Sequence, residues 1–113
     1  MLIEMKEVGK AYTVGEASLA VLKQVNLEIQ FGEFIAVMGR SGSGKSSLLY
    51  LLGCMDLPSS GTYLFNSVSV SDLPDEDLSS LRNRQIGFIF QTFNLIHQLN
   101  VLENVDLQLL IWF

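Results

Sequence analysis

The sequence predicts an α/β fold in which a buried strand leads through a glycine-rich loop into a helix. Residues 34–38 form a continuous apolar run, which is typical of a strand covered on both faces. Glycine and serine dominate residues 39–44, and residues 46–53 then supply leucines for the buried side of a helix. Upstream, apolar and polar side chains alternate in residues 2–8 and 22–30, which indicates two half-buried strands.

The remaining segments predict one loop and several short elements. Residues 12–19 are polar and contain glycine, so they indicate a loop between the first two strands. Residues 62–65 suit a strand, and residues 75–84 suit a short helix with acidic side chains in its first turn. Residues 86–90 indicate another short apolar strand, and a final helix is expected from residue 101 onward.

Length and composition limit the chain to one small domain that spans residues 1–113. Seven basic and 12 acidic side chains give a formal charge of −5, which disfavours nucleic acid as a partner because its binding relies on Lys and Arg. No window approaches the roughly 20 apolar residues of a membrane-spanning helix. The single cysteine, Cys54, fits a reducing compartment and a small core position. We expect the apolar run at residues 109–113 to belong to an interrupted, buried element.

The loop before the first helix has the spacing of a phosphate-binding loop. Residues 39–46 read Gly-Arg-Ser-Gly-Ser-Gly-Lys-Ser and match the pattern G-x-x-x-x-G-K-[ST] between a predicted strand and a predicted helix. Glycines let the backbone curl until its amides and the helix N-terminus point at phosphate oxygens. Lys45 can then reach the β- and γ-phosphates, Ser46 can ligate Mg²⁺, and Ser47 can donate to the α-phosphate.

This pattern predicts binding of a nucleoside triphosphate, with MgATP as the expected form. The alternative is an ordinary glycine-rich turn that carries a solvated lysine. The predicted cofactor-binding residues in the loop are Gly39, Arg40, Ser41, Gly42, Ser43, Gly44, Lys45, Ser46 and Ser47.

Over essentially its whole length, the chain resembles the nucleotide-binding subunit of ATP-binding cassette (ABC) transporters. It is most similar to the bacterial branch that drives lipoprotein release and macrolide or peptide export. The resemblance implies a P-loop NTPase core with part of an antiparallel β-subdomain, truncated to the first half of one ABC nucleotide-binding domain. The segments that carry it lie at residues 9–12, 15–18, 21–23, 32–34, 39–49, 58–61, 82–84, 86–95 and 102–105.

The same resemblance implies roles for two residues outside the loop. Tyr12 matches the aromatic residue that stacks on adenine, although a surface tyrosine after a strand would look the same. Gln91 matches the glutamine that contacts Mg²⁺ or the attacking water and faces the membrane subunit, although a loop residue bonded to nearby backbone is the alternative. The implied catalytic residues are therefore Lys45 and Gln91, and the implied metal ligands are Ser46 and Gln91.

Several features of the family have no counterpart in this sequence, namely a Leu-Ser-Gly-Gly-Gln-like signature, an apolar strand ending in Asp-Glu, and a switch histidine. His97 follows Gln91 too closely to be that histidine and is expected to be a solvated loop residue, and the acidic run 75–77 fits a solvated helix start. Without the Asp-Glu strand, residues 34–38 and 86–90 would expose unpaired edges and apolar faces. We therefore expect the isolated chain to be poorly stable and to have no significant ATPase activity.

The resemblance implies an energy-coupling subunit in which ATP binding and hydrolysis drive export or lipoprotein release. It implies a transmembrane permease partner, a second ATP-binding subunit in a head-to-tail dimer, and a cytoplasmic location, peripheral on the inner face of the cell membrane. Two alternatives stay open: a regulatory module that binds ATP without turnover, and a different P-loop enzyme such as a small-molecule kinase. A kinase would need a lid of basic residues, yet only Arg82 and Arg84 follow the loop.

Overall fold

A computed structural model describes residues 1–89 and 98–103, and its main feature is an antiparallel β-sheet. In the described part of the chain the sheet has four strands in the order β2-β1-β3-β4. Every neighbouring pair in this sheet is antiparallel. The strands are β1 (Ile3–Val14), β2 (Ala17–Ile29), β3 (Ser60–Phe65) and β4 (Val68–Ser69).

The hairpin between β1 and β2 overturns the predicted loop at residues 12–19. The ladder continues to the pair Val14–Ala17, so only Gly15 and Glu16 form the turn. Gly15 has a φ of 64°, a conformation that a two-residue hairpin needs and glycine adopts without strain. This end of the hairpin is exposed on both faces. A segment with no buried face lacks the regular alternation of apolar and polar side chains that indicates a strand, so the sequence predicted a loop.

Two helices pack beside the sheet and agree with the predicted helices. Helix α1 is Lys45–Leu52, and it buries Leu51 completely. Helix α2 is Asp75–Gln85, with three acidic side chains in its first turn and two arginines in its last. That arrangement complements the helix dipole at both ends, and the acidic run is exposed as expected. A 3₁₀ turn, Val70–Asp72, precedes α2.

One apolar core lies between the sheet and the two helices. Its side chains come from β1, β3, α1, α2 and the connecting segments, and they are Ile3, Met5, Val8, Leu51, Cys54, Tyr63, Phe65, Val70 and Leu78. The Tyr63 hydroxyl donates to the Leu52 carbonyl at 2.7 Å, which satisfies a carbonyl in the last turn of α1. Arg82 donates to the Cys54 carbonyl at 2.9 Å and so links α2 to the segment after α1. Cys54 is the small core residue that was predicted, and its burial raises the pKa of its thiol.

The two apolar segments predicted as core strands do not form strands in the described residues. Residues 33–40 and 86–89 have no regular secondary structure. Phe34 is 98% exposed, Met38 is 87% exposed and Ile89 is 97% exposed. A β-strand requires a hydrogen-bonded neighbour, and no described strand lies beside either segment. The exposed apolar face expected for residues 34–38 is therefore present. In the described part of the second segment Ile89 is exposed, whereas Ile86 packs against the core.

Some predictions fall on residues that the structure does not describe. Gln91, His97 and the run 109–113 lie outside the described residues, as does the end of the segment predicted at 86–90. Residues 101–103 are helical, which agrees with the helix expected from residue 101. Asn100 and Glu103 cap it reciprocally, each side chain accepting from the other's backbone N–H. Among the described residues, no helix is long and apolar enough to cross a membrane.

Candidate phosphate-binding site

The backbone of the glycine-rich loop reverses direction at two glycines. Gly42 has a φ of 83° and Gly44 a φ of 94°, a region that side chains with a Cβ disfavour. Between them, the Ser43 N–H donates to the Arg40 carbonyl at 3.1 Å and closes a tight turn. The loop predicted from the spacing of glycines is therefore present as a curled backbone.

The two ends of the loop approach each other closely. A Cβ placed on Gly39 would lie 2.7 Å from the Ser43 hydroxyl oxygen, so only glycine fits there without displacing that side chain. The Lys45 ammonium donates to the Gly39 carbonyl and therefore lies across the loop rather than pointing away from it. The lysine that the motif assigns to phosphate binding thus contacts the first residue of the loop.

Helix α1 begins immediately after the loop and presents an uncapped N-terminus. Gly44 is the N-cap residue, no side chain caps the helix, and no acidic residue lies in its first turn. The first backbone N–H groups of a helix lack intrahelical partners and carry partial positive charge, so this end attracts an anion. Ser46 is exposed and Ser47 is half-buried in the same turn. Both residues therefore belong to the turn whose amides would face a phosphate.

The loop rests on the second strand of the sheet. A Cβ on Gly44 would lie 3.0 Å from a methyl carbon of Leu22 and 3.1 Å from the carbonyl oxygen of Val21. This packing fixes the start of α1 against β2. Since β2 is paired with β1, the loop packs against the same sheet that carries Tyr12.

Tyr12 belongs to a polar cluster that joins β1 to the segment after α1. Its hydroxyl donates to one oxygen of Asp56 at 2.9 Å, and Lys10 donates to the other oxygen at 2.9 Å. The Lys10 ammonium also lies 5.0 Å from the centre of the Tyr12 ring, within the range of a cation–π contact. Tyr12 itself remains 38% exposed.

Ser46 is the side chain that the motif assigns to Mg²⁺, and it lies among the described residues. Ser46 offers a hydroxyl oxygen, the ligand type that Mg²⁺ prefers, and Mg²⁺ usually completes its shell with water and substrate phosphates. The second predicted ligand, Gln91, lies outside the described residues. No group of three or more His, Cys, Asp or Glu side chains in the described part of the chain could hold a metal ion.

The sequence matches a family model described as ABC transporter, over residues 22–111. The chain belongs to this family. It is 51% identical over 105 residues to the macrolide export ATP-binding/permease protein MacB of Wolinella succinogenes, covering 93% of this chain and 16% of that protein. It is 47% identical to the uncharacterized ABC transporter ATP-binding protein MJ0796 of Methanocaldococcus jannaschii, covering 96% of this chain and 46% of that protein.

A solved structure of a family member has the same fold. The dimeric post-hydrolysis state of the ATP-binding cassette MJ0796, bound to ADP and Pi, superposes with a TM-score of 0.92 at 45% identity. That match covers 99% of this chain and 48% of the solved chain. The chain thus spans half or less of the length of the relatives it matches. The family and fold predicted from the sequence are confirmed.

Two residues of the site were not predicted from the sequence. Lys10 and Asp56 both contact Tyr12, but 44 residues separate Tyr12 from Asp56 along the chain. No local spacing connects residues that far apart. The only signal available was an acidic residue shortly after the first helix, and that signal does not indicate a partner.

Proposed function

We propose that this chain is the N-terminal half of an ABC nucleotide-binding domain, residues 1–113, and that its phosphate loop binds MgATP. The proposal rests on the geometry of the loop. Two glycines at positive φ curl the backbone, Lys45 lies across it, and an uncapped helix N-terminus follows. Backbone amides, a lysine and a helix dipole together form a site for the phosphates of a nucleotide.

The proposed roles follow the order of the loop. The backbone amides of residues 39–44 surround the phosphate oxygens, and Lys45 places its charge at the β- and γ-phosphates. Ser46 ligates Mg²⁺ and Ser47 donates to the α-phosphate. When bound, Mg²⁺ neutralises the charge that develops on the transferred phosphoryl group. Tyr12 provides the flat surface on which adenine stacks.

Calorimetric titration with MgATP tests the phosphate loop directly. Lys45→Ala is expected to remove most of the affinity, because Lys45 is the only cation held across the loop in the described residues. Lys6→Ala is the matched control, since Lys6 is an exposed lysine on β1 whose partner is Glu4. Equal affinities for wild type and Lys45→Ala would refute the proposed site.

The stacking role of Tyr12 has its own test. Tyr12→Ala should weaken MgATP binding by about 1–3 kcal/mol, the range for base–aromatic stacking. Tyr12→Trp should retain the affinity, because it keeps an aromatic face at that position. If the alanine variant binds MgATP as tightly as wild type, Tyr12 is a surface residue.

For the complete protein we propose a cytoplasmic, energy-coupling subunit that is peripheral on the inner face of the membrane. MacB combines an ATP-binding part with a permease by name, and MJ0796 was solved as a dimer. These relatives support a permease partner and a second ATP-binding subunit.

Gln91 is the proposed contact with Mg²⁺ or the attacking water and with the permease. Cross-linking from cysteines at Thr92 or Asn94, in a version that carries the whole domain, should capture the permease. Capture only from the opposite face would contradict this placement.

Hydrolysis by the 113-residue polypeptide alone is not expected. Phosphoryl transfer to water needs a group that orients the water and charge stabilisation around the γ-phosphate. The sequence contains the phosphate loop but no Asp-Glu strand and no Leu-Ser-Gly-Gly-Gln-like signature. Phosphate release at saturating MgATP should stay at background, and turnover at a typical enzymatic rate of about 1–1000 per second would overturn this proposal.

A further inference from the structure

The cluster around Tyr12 restrains the aromatic ring in two independent ways. The hydroxyl donates to an Asp56 carboxylate oxygen at 2.9 Å, and the hydroxyl lies on the axis about which the ring turns. That hydrogen bond fixes the tip of the side chain but leaves the ring free to rotate about its axis. The Lys10 ammonium, 5.0 Å from the ring centre, adds the missing restraint because a cation–π contact depends on the ring face.

Asp56 is itself held by three donors. Lys10 and the Leu57 backbone N–H both donate to one carboxylate oxygen at 2.9 Å, and Tyr12 donates to the other. Burial opposes ionisation of Asp56, but hydrogen bonds from Lys10, Tyr12 and Leu57 outweigh it and lower the pKa of this carboxyl. Asp56 is therefore an anion at neutral pH with both oxygens engaged.

Lys10 is fixed as firmly as Asp56. Its ammonium donates to Asp56 and also to the Leu57 carbonyl, each at 2.9 Å. Its side chain is only 12% exposed, so water screens the ion pair less than it would a surface pair. The cation over the Tyr12 ring thus cannot move away without breaking two hydrogen bonds.

The position of Asp56 in the fold connects the ring to the phosphate loop. Asp56 lies between the end of α1 and the start of β3, while the phosphate loop lies at the start of α1. The cluster therefore ties β1 to the element that carries the loop. Its geometry sets how far the Tyr12 ring stands from the phosphate-binding amides.

We propose that Asp56 and Lys10 are positioning residues that hold the Tyr12 ring ready for a nucleobase, which stacks on the face opposite Lys10. This inference rests on the proposed binding of MgATP and deepens it. A ring that is already ordered loses less conformational freedom when the base arrives, so the base binds more tightly. The loss when the restraint is removed should be about twofold to tenfold in affinity, the equivalent of ordering one side chain.

The test compares two ligands that differ in the base. The dissociation constants of MgATP and of magnesium tripolyphosphate are measured by calorimetry on the 113-residue chain and its variants. The ratio of the tripolyphosphate dissociation constant to the MgATP dissociation constant reports the contribution of the nucleoside alone, and it falls when MgATP alone binds more weakly. A purely structural change that damaged the loop would weaken both ligands together. Tyr12→Phe removes only the hydroxyl, and Asp56→Ala removes the acceptor of both Lys10 and Tyr12. Lys10→Met removes the cation and keeps most of the aliphatic stem.

The expected result is a fall in the ratio of about twofold to tenfold for Tyr12→Phe, Asp56→Ala and Lys10→Met. Tripolyphosphate affinity should stay unchanged in all three, and Lys6→Met, an exposed lysine on the same strand, should change neither ligand. An unchanged ratio in Tyr12→Phe and Asp56→Ala, with a large fall in Tyr12→Ala, would overturn the positioning role while the stacking role stands. No binding of either ligand by wild type would overturn the proposed function and this inference together. Tyr12→Phe keeps the test decisive if Asp56→Ala does not fold.

Discussion

The antiparallel sheet and the segment that leads into the glycine-rich loop are both rich in apolar side chains, but only the sheet buries several of them completely. Met5 on β1 is 1% exposed, whereas Met38 directly before the loop is 87% exposed. Phe65 on β3 is buried, whereas Phe34 is 98% exposed. The difference lies in the neighbours that each segment has, since the same residue types occur in both.

The pairing partners of the sheet lie within the described residues. A two-residue turn joins β1 to β2, and β3 reaches β1 from 60 residues into the chain, so every strand has a hydrogen-bonded neighbour. Strands in a parallel sheet instead meet through crossovers of a dozen or more residues. Residues 34–38 have the apolar pattern of such a strand but no paired neighbour in the described part of the chain. An apolar pattern therefore indicates that a segment can be buried, but it does not provide the neighbouring strand that would pair with it.

The strongest test of this contrast uses the same substitution in both regions. Met5→Ala should reduce the free energy of unfolding by about 2–5 kcal/mol, because it leaves a cavity in the core. Met38→Ala should change it by less than about 0.5 kcal/mol, because that side chain is exposed. Urea denaturation followed by circular dichroism measures both. Similar losses for the two variants would show that Met38 is buried in solution and would remove the contrast.

Two glycines with the same positive φ sharpen the comparison. Gly61 in β3 and Gly32 before residue 34 both have a φ of 80°. A Cβ on Gly61 would lie 2.2 Å from the Glu7 carbonyl oxygen, whereas nothing lies within 4 Å of a Cβ on Gly32. Both alanine variants should lose stability because alanine disfavours a positive φ. Gly61→Ala should lower the free energy of unfolding by about 1–3 kcal/mol more than Gly32→Ala, because its Cβ also overpacks the structure. Equal urea midpoints for the two variants would show that β1 and β3 can move apart at this position without a loss of stability.

A smaller effect is expected where a tyrosine hydroxyl ties the sheet to α1. Tyr63→Phe should cost about 0.5–1.5 kcal/mol, because it leaves the Leu52 carbonyl without its donor. Tyr50→Phe is the control, since Tyr50 is exposed and keeps its ring stacked on Phe88 with 5.6 Å between centroids. Thermal unfolding of the two variants should separate them. A Tyr63→Phe variant as stable as wild type would show that water replaces the lost donor.

The smallest effect concerns pH and the Asp56 cluster. Donors that favour the anion give Asp56 a folded-state pKa below its ordinary value of 3.8. Its contribution to stability is therefore fully present above pH 3.8 and is lost as pH falls through the folded pKa. At pH 7, Asp56→Asn should cost less than about 1 kcal/mol, since the carboxylate is partly exposed. The difference in urea midpoint between Asp56→Asn and wild type should become smaller at acidic pH.

Lys10 provides the control for that measurement. In a Lys10→Met background, Asp56→Asn should cost less at pH 7 than it does in wild type, because the ion pair at 2.9 Å is already absent. A cost of equal size in both backgrounds would show that Lys10 does not couple to Asp56.

The sequence by itself determined the glycine-rich loop, the helix that follows it and the family. The loop depends on residues close together in the chain: glycines at fixed offsets, Lys45, and leucines at helical spacing. Helix α2 was predictable for the same reason, since its acidic start and basic end are local features. Local spacing allows prediction from the sequence because it determines backbone conformation and side-chain direction within a few residues.

Only the tertiary structure decided which apolar segments are buried and what surrounds Tyr12. Residues 34–38 had the pattern of a core strand, yet Phe34 and Met38 are exposed. The strands through residues 12–19 looked like a loop because both faces of that hairpin meet solvent. The Lys10–Asp56–Tyr12 cluster joins residues up to 46 positions apart. Burial and long-range hydrogen bonds depend on which elements come together in space, and the order of residues along the chain does not specify that locally.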